Sequence, residues 1–376
     1  MVAPLALYIH WPWCIRKCPY CDFNSRAGAF EREEPRYIAT LLRDLSHAAQ
    51  EVERPVTSVF FGGGTPSLIS EAGFAALMCG IRERVSLASD AEIALEANPG
   101  TVTERKLNAF AEAGVNRLSL GVQSFHDAML SRIGRIHSAD EAKAAVRMAK
   151  QIFQNINLDL MYALPGETIS ILRDDVEQAL SFQTQHLSFY ELTLEPGSLF
   201  FKHPPKDLPD PDMMSDMSDL IERETAQAGF DHYEVSGYAR PGFHCRHNKT
   251  YWTYGDYLGI GAGAHAKLTL SGRIVREQRE SNPQRYEESV DQGTFVRVRQ
   301  TVSKEDIPFE FMLNVLRLKE GVPEAHWTET TGLPMDVISE KLSQLRQEGL
   351  LEGEGRIAAS PMGRRFLNVL QERFLP

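Results

Sequence analysis

Long apolar runs and an excess of positive charge are both missing from this 376-residue sequence. No stretch approaches the roughly 18 consecutive apolar residues that a membrane-spanning helix requires. The chain carries 51 acidic and 40 basic residues, which gives a formal net charge of −11. Because nucleic acids and anionic lipids attract basic surfaces, this balance argues against a general affinity for either. We therefore expect no nucleic-acid partner and no stable membrane insertion.

Cysteine is also scarce, with five residues in the whole chain, three of them within eight positions. An odd and clustered set differs from the disulfide framework of a small secreted protein. The first residues lack the basic segment that precedes the apolar core of a signal peptide. These absences together predict a cytoplasmic protein with reduced thiols.

In the first half of the chain, short β-rich segments alternate with longer amphipathic ones. The predicted strands are Leu5–His10, Val56–Phe61, Ala91–Glu96, Val115–Gly121, Ile156–Tyr162 and His186–Thr193. The predicted helices are Tyr37–Val52, Glu71–Val85, Glu104–Ala113, Ala139–Ile152 and Ile169–Phe182. This alternation indicates βα units and a parallel sheet. Six units suit an incomplete (β/α)6 barrel, so the predicted fold class is α/β with its active site at the carboxyl ends of the strands.

Beyond the barrel we predict two further regions. The sequence divides into a core over residues 1–230, a connecting region over 231–300 and a small α+β module over 301–376 whose element order resembles a winged helix. Winged helices often bind DNA, but from Glu305 onward the chain holds 12 acidic and 8 basic residues. The candidate reading helix, Leu333–Gln347, has no basic stripe to meet phosphates. A packing or partner-docking module is the better interpretation.

The clustered cysteines Cys14, Cys18 and Cys21 are spaced C-x3-C-x2-C directly after the first predicted strand. A structural zinc site would need a fourth ligand, usually from a second pair, and Cys79 and Cys245 stand alone. Three thiolates on a short loop can instead hold three corners of a [4Fe–4S] cube. One iron would then stay open for a small molecule to chelate.

At these residues the sequence resembles the radical S-adenosylmethionine (SAM) superfamily, whose signature is this cysteine spacing with an aromatic, here Tyr20, before the third cysteine. The turn "GGGTP" (Gly62–Pro66) after the second strand strengthens the resemblance. The resemblance implies a [4Fe–4S] cluster on the three cysteines and SAM chelating its open iron. The residues that it places around these cofactors are Tyr8, Tyr20, Gly63, Gly64, Thr65, Glu96, Gln123, Arg135 and Asp159. For any one of them taken alone, an ordinary surface role is equally plausible.

Within the superfamily, "LYIHWPWCIRKCPYCDFNS" and "NLDLMYALPGET" resemble the oxygen-independent coproporphyrinogen III oxidase-like branch. This branch contains a dehydrogenase of haem synthesis and the HemW family of haem chaperones. The dehydrogenase extends its motif by one further cysteine, at the position of Phe23 here, which favours the chaperone family. "HNKTYW" (His247–Trp252) fits the H-N-x-x-Y-W motif associated with haem binding in that family.

By this resemblance His247 is a candidate axial ligand of haem, with Asn248, Tyr251 and Trp252 beside it. Without the resemblance, the same residues would be interpreted as ordinary core aromatics and a loop histidine. The favoured hypothesis is a chaperone that delivers haem to acceptors such as respiratory haemoproteins, with a homodimer as a further implication. The alternatives are a radical SAM dehydrogenase acting on coproporphyrinogen III and an electron-transfer or scaffold protein with a structural cluster.

Overall fold

A curved, mixed sheet of twelve strands runs through the computed structural model, which describes residues 4–28 and 30–376. The strands are β1 (Leu5–Trp11), β2 (Trp13–Cys14), β3 (Arg26–Ala27), β4 (Val56–Gly63), β5 (Leu87–Ala97), β6 (Arg117–Gln123), β7 (Ile156–Tyr162), β8 (His186–Glu191), β9 (Asp231–His232), β10 (Gly237–Ala239), β11 (Asp256–Ile260), β12 (His265–Leu270), β13 (Arg273–Gln278), β14 (Val298–Thr301), β15 (Val322–Pro323), β16 (Leu351–Glu352) and β17 (Arg356–Ala359). The order in the large sheet is β14-β13-β12-β11-β1-β4-β5-β6-β7-β8-β10-β9. The sheet is therefore open, and its two outer strands do not pair with each other.

Helices follow most of the parallel strands. They are α1 (Glu34–Ala48), α2 (Glu71–Arg84), α3 (Glu104–Glu112), α4 (Asp127–Arg132), α5 (Ala139–Ile152), α6 (Ile169–Ser181), α7 (Leu199–Lys202), α8 (Pro211–Gln227), α9 (Arg246–Trp252), α10 (Pro283–Asp291), α11 (Ile307–Val315), α12 (Ala325–Thr331), α13 (Asp336–Gln347), α14 (Pro361–Arg365) and α15 (Leu367–Glu372). No helix among the described residues has the length and apolarity needed to cross a membrane.

The six strands β1, β4, β5, β6, β7 and β8 are parallel neighbours and form the predicted partial barrel. Alternate residues on each strand point outward into the main core, such as Leu7 and Ile9 on β1, where they pack against the helices. The residues between them, such as Tyr8 and His10, point to the inner face. The helices α1, α2, α3, α5 and α6 cover the outer face, so much of the inner face can carry polar groups.

Four strands that the sequence pattern did not predict extend this sheet beyond β1. β11 pairs in parallel with β1, and β12, β13 and β14 follow it as antiparallel neighbours. Their segment is rich in glycine, and β11 is only five residues long, so its alternation is too short to stand out. The barrel stays open, since these strands lengthen the sheet instead of closing it.

A second apolar core lies in the C-terminal part of the chain. α11, α12, α13 and the small sheet β15-β17-β16 enclose it around Phe311 and Trp327. Tyr254, from the connecting region, belongs to the same core. The sequence pattern over Pro361–Phe374 predicts one final helix, whereas the structure has two, α14 and α15, which are separated at Phe366.

Candidate functional site

The carboxyl ends of the barrel strands surround a cavity of about 310 Å³, which we call the mouth cavity. The predicted residues that line it are Cys14, Cys18, Tyr20, Cys21, Gly63, Gly64, Thr65, Glu96, Gln123, Arg135 and Asp159. Tyr8 lies below the cavity on the inner face of β1, and the four residues predicted from the H-N-x-x-Y-W motif lie elsewhere. Five different strand ends thus bring eleven predicted residues together, as the barrel geometry requires.

The cysteine loop forms one wall of the mouth cavity, and its thiols are free. Cys14 Sγ is 3.5 Å from the carbonyl oxygen of Arg26, and Cys21 Sγ is 3.9 Å from Ser25 Oγ. Burial raises the pKa of both thiols, so metal binding must displace their protons. In the described residues, no three His, Cys, Asp or Glu side chains converge on a point that a single metal ion would occupy. A [4Fe–4S] cluster does not require side chains to converge on one point, because each cysteine binds a different iron atom.

The glycine turn adjoins the start of the cysteine loop and is fixed by close backbone contacts. Gly63 has φ of 112°, and a Cβ atom there would lie 2.6 Å from the His10 ring. A Cβ atom at Gly64 would lie 2.5 Å from the carbonyl oxygen of Trp13. The N–H of Thr65 donates to that same carbonyl at 2.8 Å. Only glycine therefore fits at the two positions where the turn meets the cysteine loop.

Two carboxyl groups occupy the inner side of the mouth cavity. Burial, and then the charge of Asp159, raise the pKa of Glu96 to about 8, and Glu96 Oε2 accepts a 3.3 Å hydrogen bond from the N–H of Gly63. Burial also raises the pKa of Asp159, which accepts from Ser119 Oγ at 2.7 Å and Asn157 Nδ2 at 2.8 Å. Both carboxyl groups are held in fixed positions, where their oxygens can accept from hydroxyl or amino groups of a ligand and the Glu96 carboxyl, when protonated, can also donate.

Gln123 and Arg135 approach the cavity from β6 and the loop after α4. Gln123 has φ of 68°, at an irregularity in the pairing of β6 with β7, and this bulge re-aims its side chain. Arg135 donates to the carbonyl oxygen of Gly121 at 2.7 Å, and its Nη1 lies 3.7 Å from Cys18 Sγ. Its buried Nε has no hydrogen-bond partner. This guanidinium is thus a cation beside the thiols with a donor left over for an anionic ligand.

These features fit the two implied cofactors. Three free thiols on one loop match a cluster with an open iron, and the Arg135 side chain lines a cavity that also holds the carboxyl groups of Glu96 and Asp159. The glycine turn lines the cavity without side chains, so a ligand can approach its backbone closely.

The sequence interpretation missed a polar network on the inner face just below the mouth cavity. Asn157 donates to Ser119 at 2.7 Å, and its Oδ1 lies 2.7 Å from His186 Nδ1. His186 Nε2 in turn lies 2.9 Å from the hydroxyl of Tyr233. The sequence does contain a signal for this network. Polar residues occupy every second position of β6, β7 and β8, and residues at that spacing lie on one face of a strand.

The H-N-x-x-Y-W motif forms α9, which packs on the inner face of the sheet against β1, β4 and β11. His247 is 1 % exposed. Its Nδ1 lies 3.2 Å from Ser58 Oγ, and its Nε2 lies 2.8 Å from the hydroxyl of Tyr251. The ring stacks on Phe60 at a centroid distance of 4.9 Å. Burial lowers the pKa of His247 to about 3, so the imidazole is neutral.

Tyr8 connects α9 with the mouth cavity. Its ring centroid is 6.4 Å from that of His247, and its hydroxyl lies 3.0 Å from His10 Nδ1. His10 Nε2 donates to the carbonyl oxygen of Asn24 in the cysteine loop at 2.8 Å. These contacts link α9 with the cysteine loop through the inner face of β1.

The remaining motif residues lie on or near the side of α9 that meets the C-terminal module. Tyr251 packs edge-on against Tyr257 at 4.6 Å, and the guanidinium of Arg317 lies 4.3 Å above the Trp252 ring. Asn248 is half-buried. The motif thus forms part of a contact between the barrel and the C-terminal module.

Comparison with known proteins gives consistent matches along the chain. Residues 8–179 match the Radical SAM superfamily, and residues 302–366 match the HemN C-terminal domain. The protein named "Heme chaperone HemW" from Escherichia coli (strain K12) is 44% identical over 99% of this chain and 98% of its own length. "Heme chaperone HemW" from Haemophilus influenzae is 42% identical with the same coverage.

A solved structure shares the whole fold. The coproporphyrinogen III oxidase HemN from Escherichia coli, described as a radical SAM enzyme, superposes with a TM-score of 0.84 over 99% of this chain and 90% of that one. Its sequence identity is 23%, so this likeness concerns the fold alone.

Proposed function

Because the chain belongs to the HemW family of the radical SAM superfamily, we propose that it is a haem chaperone that transfers haem to acceptor haemoproteins in the cytoplasm. The observation that carries the proposal is the likeness of the chain, over 99% of its length, to relatives named as haem chaperones. A neutral, buried histidine within the predicted haem motif supports it.

In this proposal Cys14, Cys18 and Cys21 hold a [4Fe–4S] cluster. When bound, the cluster supplies an open iron for chelation and an electron for the sulfonium of SAM. Arg135 is placed to pair with a carboxylate of SAM, and Glu96 and Gln123 are placed to hydrogen-bond its hydroxyl groups. The backbone of Gly63 and Gly64 allows the amino group close approach. These residues bind and orient SAM next to the thiols.

For haem we propose His247 as the axial ligand through Nε2. Burial raises the pKa of Tyr251, which keeps its proton and can donate it to Nε2. The Nδ1–H then donates to Ser58 Oγ, an arrangement that leaves the lone pair on Nε2. To bind iron, Nε2 must exchange the Tyr251 hydroxyl for the metal. The Ser58 contact would then fix the ring orientation, as partners of ligand histidines commonly do.

The position of Phe23 argues against the dehydrogenase alternative. Phe23 lines the mouth cavity, is 56 % exposed and has no sulfur where the dehydrogenase motif has its further cysteine. The favoured and alternative functions are separated by one set of parallel assays on anaerobically reconstituted protein supplied with SAM and reductant. We expect haem uptake and haem transfer to an apo-haemoprotein, without conversion of coproporphyrinogen III. Multiple turnover of coproporphyrinogen III would show that the chaperone proposal is wrong.

A further inference from the structure

Ser25 lies shortly after Cys21 in the chain, lines the mouth cavity and is only 8 % exposed. Its Oγ is 3.9 Å from Cys21 Sγ, and its hydroxyl also contacts the thiol of Cys14. Burial raises the pKa of both thiols, and the contact with the Ser25 hydroxyl opposes that rise in each of them. One buried hydroxyl is therefore shared between two of the three cysteines.

The backbone is anchored on both sides of Ser25. Before it, Asn24 Nδ2 donates to the carbonyl oxygens of Ala262 and Ser281, both at 2.8 Å. After it, Arg26 begins β3, which pairs in parallel with β2 at the start of the cysteine loop. Because these neighbours are held by other parts of the fold, the Ser25 hydroxyl has a fixed position beside the thiols. Anchoring of this kind is typical of residues that orient metal ligands.

The direction of the Ser25 hydrogen bond follows from the chemistry of the ligand. In the free protein either the hydroxyl of Ser25 or the thiol of Cys21 can donate. A cysteine binds iron as a thiolate, which has no proton and can only accept. With iron bound, the proton in this contact must come from Ser25, so the hydroxyl becomes a donor to the ligand sulfurs.

We propose that Ser25 is a positioning residue that donates to the cluster thiolates of Cys14 and Cys21 and raises the reduction potential of the cluster, an inference that rests on the proposed function. Reduction takes one electron from an external one-electron reductant and transfers no proton. A hydrogen-bond donor stabilises the more negative, reduced state more strongly, because the bond strengthens with the charge on its acceptor. Hydrogen bonds to the sulfurs are among the factors that set the potential of iron–sulfur clusters.

The test measures the reduction potential of the reconstituted protein without SAM, by anaerobic titration with dithionite followed by the EPR signal of the reduced cluster. Ser25→Ala should retain about four iron atoms per chain, because no cluster ligand is lost. Its equilibrium constant for reduction should fall roughly tenfold, which is about 59 mV for a one-electron couple. Ser25→Thr keeps the hydroxyl and should recover most of the wild-type potential.

Ser67 offers a matched control. It is fully buried like Ser25, but its Oγ lies 2.7 Å from Thr101 Oγ1 and forms its hydrogen bond there. Ser67→Ala should leave the reduction potential unchanged. Equal potentials in wild type and Ser25→Ala would overturn the inference, and so would equal shifts in Ser25→Ala and Ser67→Ala.

The iron content separates this inference from the proposed function. Iron-free wild-type protein after reconstitution would show that the cluster assignment itself is wrong. Full iron content with an unchanged potential in Ser25→Ala would leave the cluster in place and refute only the role of the hydroxyl. Loss of iron from folded Ser25→Ala would also refute it, since Ser25 would then retain the cluster and not tune it. Should Ser25→Ala not fold, Ser25→Gly removes the same hydroxyl and should show the same shift.

Discussion

The mouth cavity and α9 lie in the same barrel but differ in how accessible their predicted ligand-binding side chains are. Eleven of the predicted binding residues line the mouth cavity, and among them Arg135 has a buried Nε without a hydrogen-bond partner. On α9, His247 is buried and both of its ring nitrogens have partners. A ligand can enter the mouth cavity without rearrangement, whereas iron must displace a hydrogen bond to reach His247. The comparison teaches that a motif predicted to bind a ligand can be enclosed by the fold, so that binding there requires a rearrangement.

The largest effect is expected for the cluster cysteines. Cys18→Ala should reduce iron from about four atoms per chain to almost none and abolish the visible thiolate-to-iron absorbance. Iron analysis after anaerobic reconstitution measures this. Cys79, which is exposed on α2 and far from the cysteine loop in sequence, provides the control. An unchanged iron content in Cys18→Ala would disprove the cluster assignment.

The next largest effect is expected at His247. His247→Ala should weaken haem binding by at least the roughly 10–100-fold that losing a partner of a ligand histidine typically costs. The Soret band should shift, while iron–sulfur absorbance remains. Haem titration followed by absorbance measures both. Wild-type affinity and spectrum in this variant would place the ligand elsewhere, and loss of the cluster would show that Tyr8 couples the two sites.

A methyl group at Gly63 tests the mouth cavity without removing a ligand. Gly63→Ala should reduce SAM affinity by roughly tenfold or more, because the new Cβ atom meets the His10 ring and the backbone must leave its φ of 112°. Equilibrium binding of SAM to reconstituted protein measures the loss. In Gly100→Ala the nearest atom is an ordinary 3.6 Å away, so SAM binding should not change. Equal behaviour of the two variants would contradict the role of the turn.

A smaller effect, of opposite sign, is expected for Tyr251. Tyr251→Phe removes the hydroxyl that holds Nε2 of His247 and should strengthen haem binding several-fold, because a typical hydrogen bond contributes about 0.5–1.5 kcal/mol. Tyr257→Phe, which removes a hydroxyl from the ring packed against Tyr251, should leave haem binding unchanged. Weaker haem binding in Tyr251→Phe would mean that the hydroxyl helps to hold haem instead of blocking it.

The smallest effect concerns pH. A proton competes with iron for an imidazole only below the pKa of that imidazole in the free protein. Because the pKa of His247 is lowered to about 3, haem affinity should stay constant from pH 7 to 5. If the ligand histidine had its ordinary pKa near 6.5, haem affinity would fall roughly tenfold by pH 5.5. Haem titrations of wild type and of His247→Ala between pH 7 and 5 measure this affinity. A decline in haem affinity seen only in wild type would show that His247 is more accessible than the fold indicates.

The sequence predicted the parallel strands and the mouth residues because both follow local rules. Hydrophobic alternation locates β1 and β4 to within a few residues. A parallel barrel brings the carboxyl ends of its strands together regardless of the sequences of the loops. It did not predict β11 to β14 or the separation of α14 from α15. Short strands and helix breaks depend on neighbours that are distant in the chain.

The sequence by itself determined the thiol spacing, the glycine turn and the alternation of the six barrel strands with helices, since each is encoded within a few neighbouring residues. Only the tertiary structure decided the state of His247. Its partner Ser58 lies 189 positions away, and the ring stacks on Phe60 of the same strand. Only the folded sheet likewise places Arg317 over Trp252. Burial and pairing of this kind arise from the packing of distant segments, which no local pattern contains.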